Sequence, residues 1–228
     1  MKTKKRSMKI FLNGAFILAI SALTISCSKE NDIDVGGNTN IKIINASQGS
    51  NDQDFYLANN KITGDQAVAF GSATDYIMTT AGDNLTAEFK NIGTENIYAS
   101  GEVNLERDLH YSIVLAGSGE NTRIVSIDDN IEEPANDRAK IRFIHVSDVL
   151  PEAVDIYTSA GVVLASNVAY NSVSSFIEID PSITALRIAP TGTSDYKDVS
   201  VTAFAPEKIY SIIIAGSGDV QTRQISHN

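Results

Sequence analysis

The feature that most constrains this chain is self-similarity at a period near 100 residues. Ile41–Ser47 aligns with Ile141–Ser147, and Asp54-Phe55-Tyr56 with Asp155-Ile156-Tyr157. Ala67–Ser72 aligns with Asn167–Ser172, His110–Gly119 with Ile209–Gly218, and Thr122-Arg123 with Thr222-Arg223. In the fourth pair both copies read Tyr-Ser-Ile, two further apolar residues, then Ala-Gly-Ser-Gly. A period this long exceeds that of solenoid repeats and fits a duplicated domain.

Each copy reads as β. Seven short segments per copy, from Ile41–Ala46 to Arg123–Ile127 and from Ile141–Val146 to Thr222–Ile225, are bounded by Gly, Asn, Asp or Ser. Phe176–Ile179 and Val199–Phe204 alternate apolar and polar residues, the period of a half-buried strand. That density of short strands and turn signals predicts an all-β chain of two tandem β-sandwich domains, 41–130 and 139–228. An acidic stretch over 128–137 places the linker at 131–138. Each copy is large enough for its own core, so the two are expected to fold independently. Ala-Gly-Ser-Gly reads as a hairpin turn, because a phosphate-cradling loop would need a following helix.

The 228 residues are 43% hydrophobic and 20% charged, which excludes a fully disordered chain and a multi-span membrane protein. A formal charge of −10 argues against nucleic-acid partners, whose phosphates demand a basic surface. One Cys allows no intrachain disulfide and no Cys-built metal site.

The N-terminus reads as an export signal. Lys2, Lys4, Lys5, Arg6 and Lys9 precede an apolar stretch, Ile10 to Ile25, which is too short and interrupted for a good membrane span. Leu23-Thr24-Ile25-Ser26-Cys27 resembles a bacterial lipobox, with residues 1–26 cleaved and Cys27 lipidated. The acidic run after Cys27, within a flexible tether at 27–40, resembles the surface-export signal of Bacteroidetes lipoproteins. The expected location is the outer membrane, lipid-anchored, at the cell surface.

The second copy carries Ile141–Asp148, a strand ending in His-x-Ser, and then Val154-Asp155-Ile156-Tyr157. With Asn167–Phe176 and Tyr210–Gly216, these resemble a bacterial family known as domain of unknown function 4397. The likeness extends to the first copy, where Asn45 stands in place of the His. The resemblance implies tandem immunoglobulin-like sandwiches in a surface-anchored lipoprotein. It implies no established activity and supplies no catalytic residues.

Residues that could carry chemistry are few. His145, Ser147 and Asp148 suggest a hydrolase, but two strand residues on one face lie about 7 Å apart, too far for a base to reach a hydroxyl. Asn45 also removes the base from the first copy. The reading taken is that His145 and Asp155, with Asp54 as its repeat equivalent, tie strand ends to backbone groups, ahead of an inward-facing Tyr. No metal site is expected; Asp52 and Asp54 are the candidate ligands for a hard cation. Tyr98 and Tyr196 are the candidate platforms for a glycan, against the alternative that they cover sandwich edges. Tyr111 and Tyr210 open long apolar strands and are assigned to folding as tyrosine corners. The functional expectation is a non-catalytic surface lipoprotein with no cofactor, attached to the membrane through Cys27, acting as a structural or binding module for a glycan or protein ligand. The alternatives are a glycan-binding accessory protein of an outer-membrane uptake system and, last, a hydrolase.

Overall fold

The computed structural model describes residues 36–228. The export signal and Cys27 lie outside the described residues.

The first repeat contains β1 (Asn38–Asn45), β2 (Gln53–Leu57), β3 (Asn60–Lys61), β4 (Ile77–Thr80), β5 (Gly82–Asn91), β6 (Ile97–Leu105), β7 (His110–Ala116) and β8 (Arg123–Asp128). They form two sheets, β4-β1-β7-β8 and β3-β2-β5-β6. The second repeat contains β9 (Ala139–His145), β10 (Ala153–Thr158), β11 (Val163–Ala169), β12 (Ser172–Val173), β13 (Ile177–Ile179), β14 (Ala185–Pro190), β15 (Lys197–Ser200), β16 (Ile209–Ala215) and β17 (Gln221–Ser226). Its sheets are β12-β9-β16-β17, with β13 also on β9, and β11-β10-β14-β15. The fold is an all-β sandwich used twice. An immunoglobulin constant domain splits seven strands four and three. Here the first sandwich has two four-stranded layers and the second pairs a five-stranded with a four-stranded one, and β1 runs parallel to β7 as β9 does to β16. The likeness to immunoglobulins is therefore one of architecture rather than strand order.

Alternation along β1 and β7 sends Ile41, Ile43, Tyr111, Ile113 and Leu115 into a core shared with Phe55, Phe89 and Leu105 of the other sheet. Ile141, Phe143, Tyr210, Ile212 and Ile214 do the same in the second repeat, against Val154, Ile156, Leu186 and Ile188. The intervening residues are also buried. Ile44, Ala46, Val114, Ala116 and Ile127 pack against Ile144, Val146, Ile213, Ala215 and Ile225 as a third core. The sheets β4-β1-β7-β8 and β12-β9-β16-β17 thus face each other, giving four layers. This explains the uninterrupted apolar runs: one face of the strand covers its own sandwich and the other covers the second repeat. Each repeat keeps a core of its own, and neither buries these additional faces alone.

Where strand segments were misplaced, the cause is local. Val199–Phe204 alternates, yet only Lys197–Ser200 is paired, and Phe204 turns into the core as irregular chain. β3 and β11 carry no apolar alternation and were not expected.

Candidate functional site

Tyr111 and Tyr210 start the central strands β7 and β16. They are 7% and 9% exposed. The Glu106 N–H donates to the Tyr111 hydroxyl at 3.1 Å, and the Ala205 N–H to that of Tyr210 at 3.1 Å. Both residues close the preceding turn from inside the sandwich, the geometry of a tyrosine corner.

At the far end of those strands sits the Asn/His-x-Ser motif. The Ser47 hydroxyl donates to the Gly117 carbonyl at 2.6 Å, and Ser147 reaches Gly216 at 3.5 Å. The motif therefore holds the duplicated Ala-Gly-Ser-Gly loop. Gly117 and Gly216 have positive φ, and a Cβ there would strike the Asn121 or Asp219 carbonyl. Asn45 and His145 do one job: Asn45 Oδ1 accepts the Ser47 N–H at 3.1 Å, and His145 Nδ1 accepts that of Ser147 at 3.4 Å. His145 Nε2 then donates to the Pro151 carbonyl at 3.0 Å. Burial lowers the His145 pKa, the Pro151 bond opposes that, and Arg123 lowers it further. Its lone pair faces a backbone N–H rather than the Ser147 hydroxyl, whereas a base–nucleophile pair requires the base to accept from the hydroxyl.

Asp155 holds four groups. It accepts the Asn167 N–H at 2.7 Å, the Gly192 N–H at 3.1 Å, the Thr191 hydroxyl at 3.1 Å and the Tyr157 hydroxyl at 3.4 Å. Burial alone would raise its pKa; the hydrogen bonds outweigh it and hold the carboxyl below its ordinary value. Tyr157 is not inward-facing as expected. It shares the outer face with Asp155, and Ile156 between them enters the core. In the first repeat Asp54 pairs with Lys61 at 3.0 Å, while Asp52 is exposed. Among the described residues no three His, Cys, Asp or Glu side chains gather as a metal site. Tyr98 is half-buried against the first core and bonded to Ser47 at 3.1 Å, whereas Tyr196 is 42% exposed.

Sequence reasoning missed the polar centre between the repeats. Arg142 and Asp129, only 2% and 4% exposed, form an ion pair there. Arg142 Nε donates to the Ser211 hydroxyl at 2.8 Å. Ser211 lies 2.7 Å from His227 Nε2, His227 Nδ1 lies 2.7 Å from the Tyr76 hydroxyl, and Tyr76 donates to Asp129 Oδ2 at 2.6 Å. Ser112 also donates to Asp129, at 2.8 Å. Since Tyr76 gives its proton to Asp129, His227 Nδ1 carries the hydrogen, and Nε2 accepts from Ser211. Neutral His227 thus completes a closed circuit in which each donor has an acceptor. Burial is the main reason its pKa falls to about 4, against the pull of Asp129 and with the help of Arg142 and Lys42. Burial likewise raises that of Tyr76, with Asp129 adding to it and Arg142 opposing. In the sequence Asp129 is one acid of the acidic stretch over 128–137. The available signal was Lys42 and Arg142, cations at equivalent places inside apolar strands, and the Ser of each Tyr-Ser-Ile.

The duplicated Thr-Arg has a related role. Arg123 of the first repeat stacks over the Tyr170 ring of the second at 4.6 Å, and Arg223 stacks over Phe70 of the first at 4.8 Å. Arg123 also bonds Asp148 at 3.1 Å and Asn171 at 2.6 Å. This reciprocity is the signature of a two-fold interface, here within one chain. A cleft of about 290 Å³ opens beside it, lined by Asn121, Ser147, Asp148, Leu150, Glu152 and Tyr170.

No curated protein matches the chain. Among solved structures, similarity is found to the carbohydrate-binding module CBMbc (family CBM26) from Eubacterium rectale Amy13K in complex with maltoheptaose. That match has 10% identity, covers 82% of this chain and 97% of that one, and has a TM-score of 0.27. The Bacillus anthracis TIE protein matches at 11% identity over 83% of this chain and 34% of that one, with a TM-score of 0.24. Neither superposition is close enough to bear on function. The family model described as "Domain of unknown function (DUF4397)" matches residues 39–157, which span the whole first repeat, the linker, β9 and nearly all of β10. By that match the chain belongs to the DUF4397 family.

Proposed function

We propose that this protein is a non-catalytic lipoprotein of the outer membrane. In this reading Cys27 is lipidated, both repeats are copies of the family domain, and together they form a rigid block that presents a binding surface at the cell exterior. The observation that carries the reading is how the duplicated motif residues are used. His145, Ser147, Asp155, Tyr111 and Tyr210 all bond backbone groups that hold loops and strand ends. A block stabilised this way serves display, and the lipobox-like Leu23–Cys27 supplies the attachment. Two acyl chains at about 0.8 kcal/mol per buried methylene make such attachment stable.

The test is fractionation and protease shaving of intact cells. Wild-type protein is expected in the outer-membrane fraction and to be cleaved by external protease. Cys27→Ser is expected to leave the precursor unprocessed or release it. Unchanged membrane attachment and processing in Cys27→Ser would contradict the proposal.

A further inference from the structure

The repeated Asp-x-Tyr motif places one Tyr on the outer face of each outer sheet, and the two repeats treat it differently. In the first, Lys90 lies 4.4 Å over the Tyr56 ring and is itself neutralised by Glu88 and Glu95 at 3.5 and 3.0 Å. In the second, Ala189 stands where Lys90 does, opposite Asp155 as Lys90 is opposite Asp54. The small side chain leaves room for Tyr196 to meet Tyr157 edge to face, with ring centres 5.4 Å apart. Tyr98, the equivalent of Tyr196, turns inward instead and bonds Ser47. Across the same row, Arg187 pairs with Tyr157 and Asp198 with Arg187; the two charges form an ion pair at 3.1 Å, and the Arg187 guanidinium lies 5.7 Å from the centre of the Tyr196 ring, farther than Lys90 from Tyr56. Val163, the fourth member of the row, is exposed.

We infer that this face of β11-β10-β14-β15 is a glycan-binding platform carried by the second repeat alone. A sugar ring has an apolar C–H face and a rim of hydroxyls. The exposed Tyr196 ring matches the face, Tyr157 meets it at a right angle as a flanking wall, and Arg187 and Asp198 offer donors and acceptors to the rim. Arg187 and Asp198 cancel each other's charge, which suits a neutral glycan and not a phosphate. Asp155, anchored to four groups, fixes the floor, so the platform is formed before binding and little ordering cost is added. The inference rests on the reading of the chain as a binding module.

Native affinity electrophoresis of the full chain in mild detergent tests it, in gels cast with soluble starch, xylan, galactomannan, dextran or mucin. Retardation by at least one polymer is expected. Tyr196→Ala and Tyr157→Ala should each weaken the apparent Kd at least tenfold, and Tyr56→Ala should leave it unchanged. Tyr196 lies outside the second core, so its variant should stay folded with a urea transition as cooperative as the wild type's, which separates lost binding from lost folding. Migration unaltered in every gel would overturn the inference. So would retardation that survives both platform variants or is lost equally with Tyr56→Ala. Failure here with intact outer-membrane attachment leaves the lipoprotein proposal standing, because the two assays share no readout.

Discussion

Tyr210 illustrates how one side chain serves two levels of structure. Its ring fills the second core, and its hydroxyl accepts the Ala205 N–H. Tyr210→Ala should cost about 3–5 kcal/mol, the range for large aromatic truncations. Tyr210→Phe keeps the ring and orphans one backbone donor, for about 1–3 kcal/mol. Urea midpoints of the pair separate the contributions; equal losses would show that the ring is not packed. His227 makes a pH prediction. Its folded pKa, about 4, lies below the ordinary 6.5. The unfolded chain therefore takes the proton first. The stabilisation is complete above pH 6.5 and is lost as pH falls towards 4, by about 3 kcal/mol. Protonation would place a second cation beside Arg142 and leave Ser211 facing two donors. Urea unfolding at pH 7 and pH 4.5 should show a steeper loss in the wild type than in His227→Gln. Parallel losses would contradict the circuit.

At the scale of the element, β16 is the informative strand. Ile212 and Ile214 face their own sandwich, and Ile213 faces the first repeat. Ile213→Ala should cost about 2–5 kcal/mol, as much as Ile212→Ala, because both sites are fully enclosed. A neutral Ile213→Ala, read from the urea midpoint, would mean the interface contributes nothing. Much of this element was legible in the sequence. An apolar run with no alternation requires two covered faces, and an initial Tyr suggested the corner. What covered the second face was not legible, since periodicity reports burial and not its partner. The same limit hid Asp129: an acid in an acidic stretch looks solvated until Arg142, thirteen residues on, folds back to meet it. The duplicated Thr-Arg was visible as a repeat, but its purpose required seeing Arg123 and Arg223 each cross to the other sandwich. Tyr157 points outward because alternation around the core-facing Ile156 places both Asp155 and Tyr157 on the opposite face.

The described residues form two like sandwiches that meet through equivalent sheets, and equivalent positions at that meeting differ. Lys42 and Arg142, Tyr76 and Phe176, and Asp129 and His227 occupy equivalent places, and their differences make the polar centre complementary. Arg142 finds an acid where an identical copy would have offered the same residue twice. Divergence on the outer faces runs in parallel, with Tyr56 capped by Lys90 and Tyr157 packed edge to face with the exposed Tyr196. In this account the first repeat completes the fold and the second carries the exposed platform. Scanning calorimetry of the chain containing both repeats asks whether the two sandwiches unfold as one cooperative unit. A single transition with equal calorimetric and van't Hoff enthalpies is predicted. Two resolved transitions, one for each repeat, would contradict it.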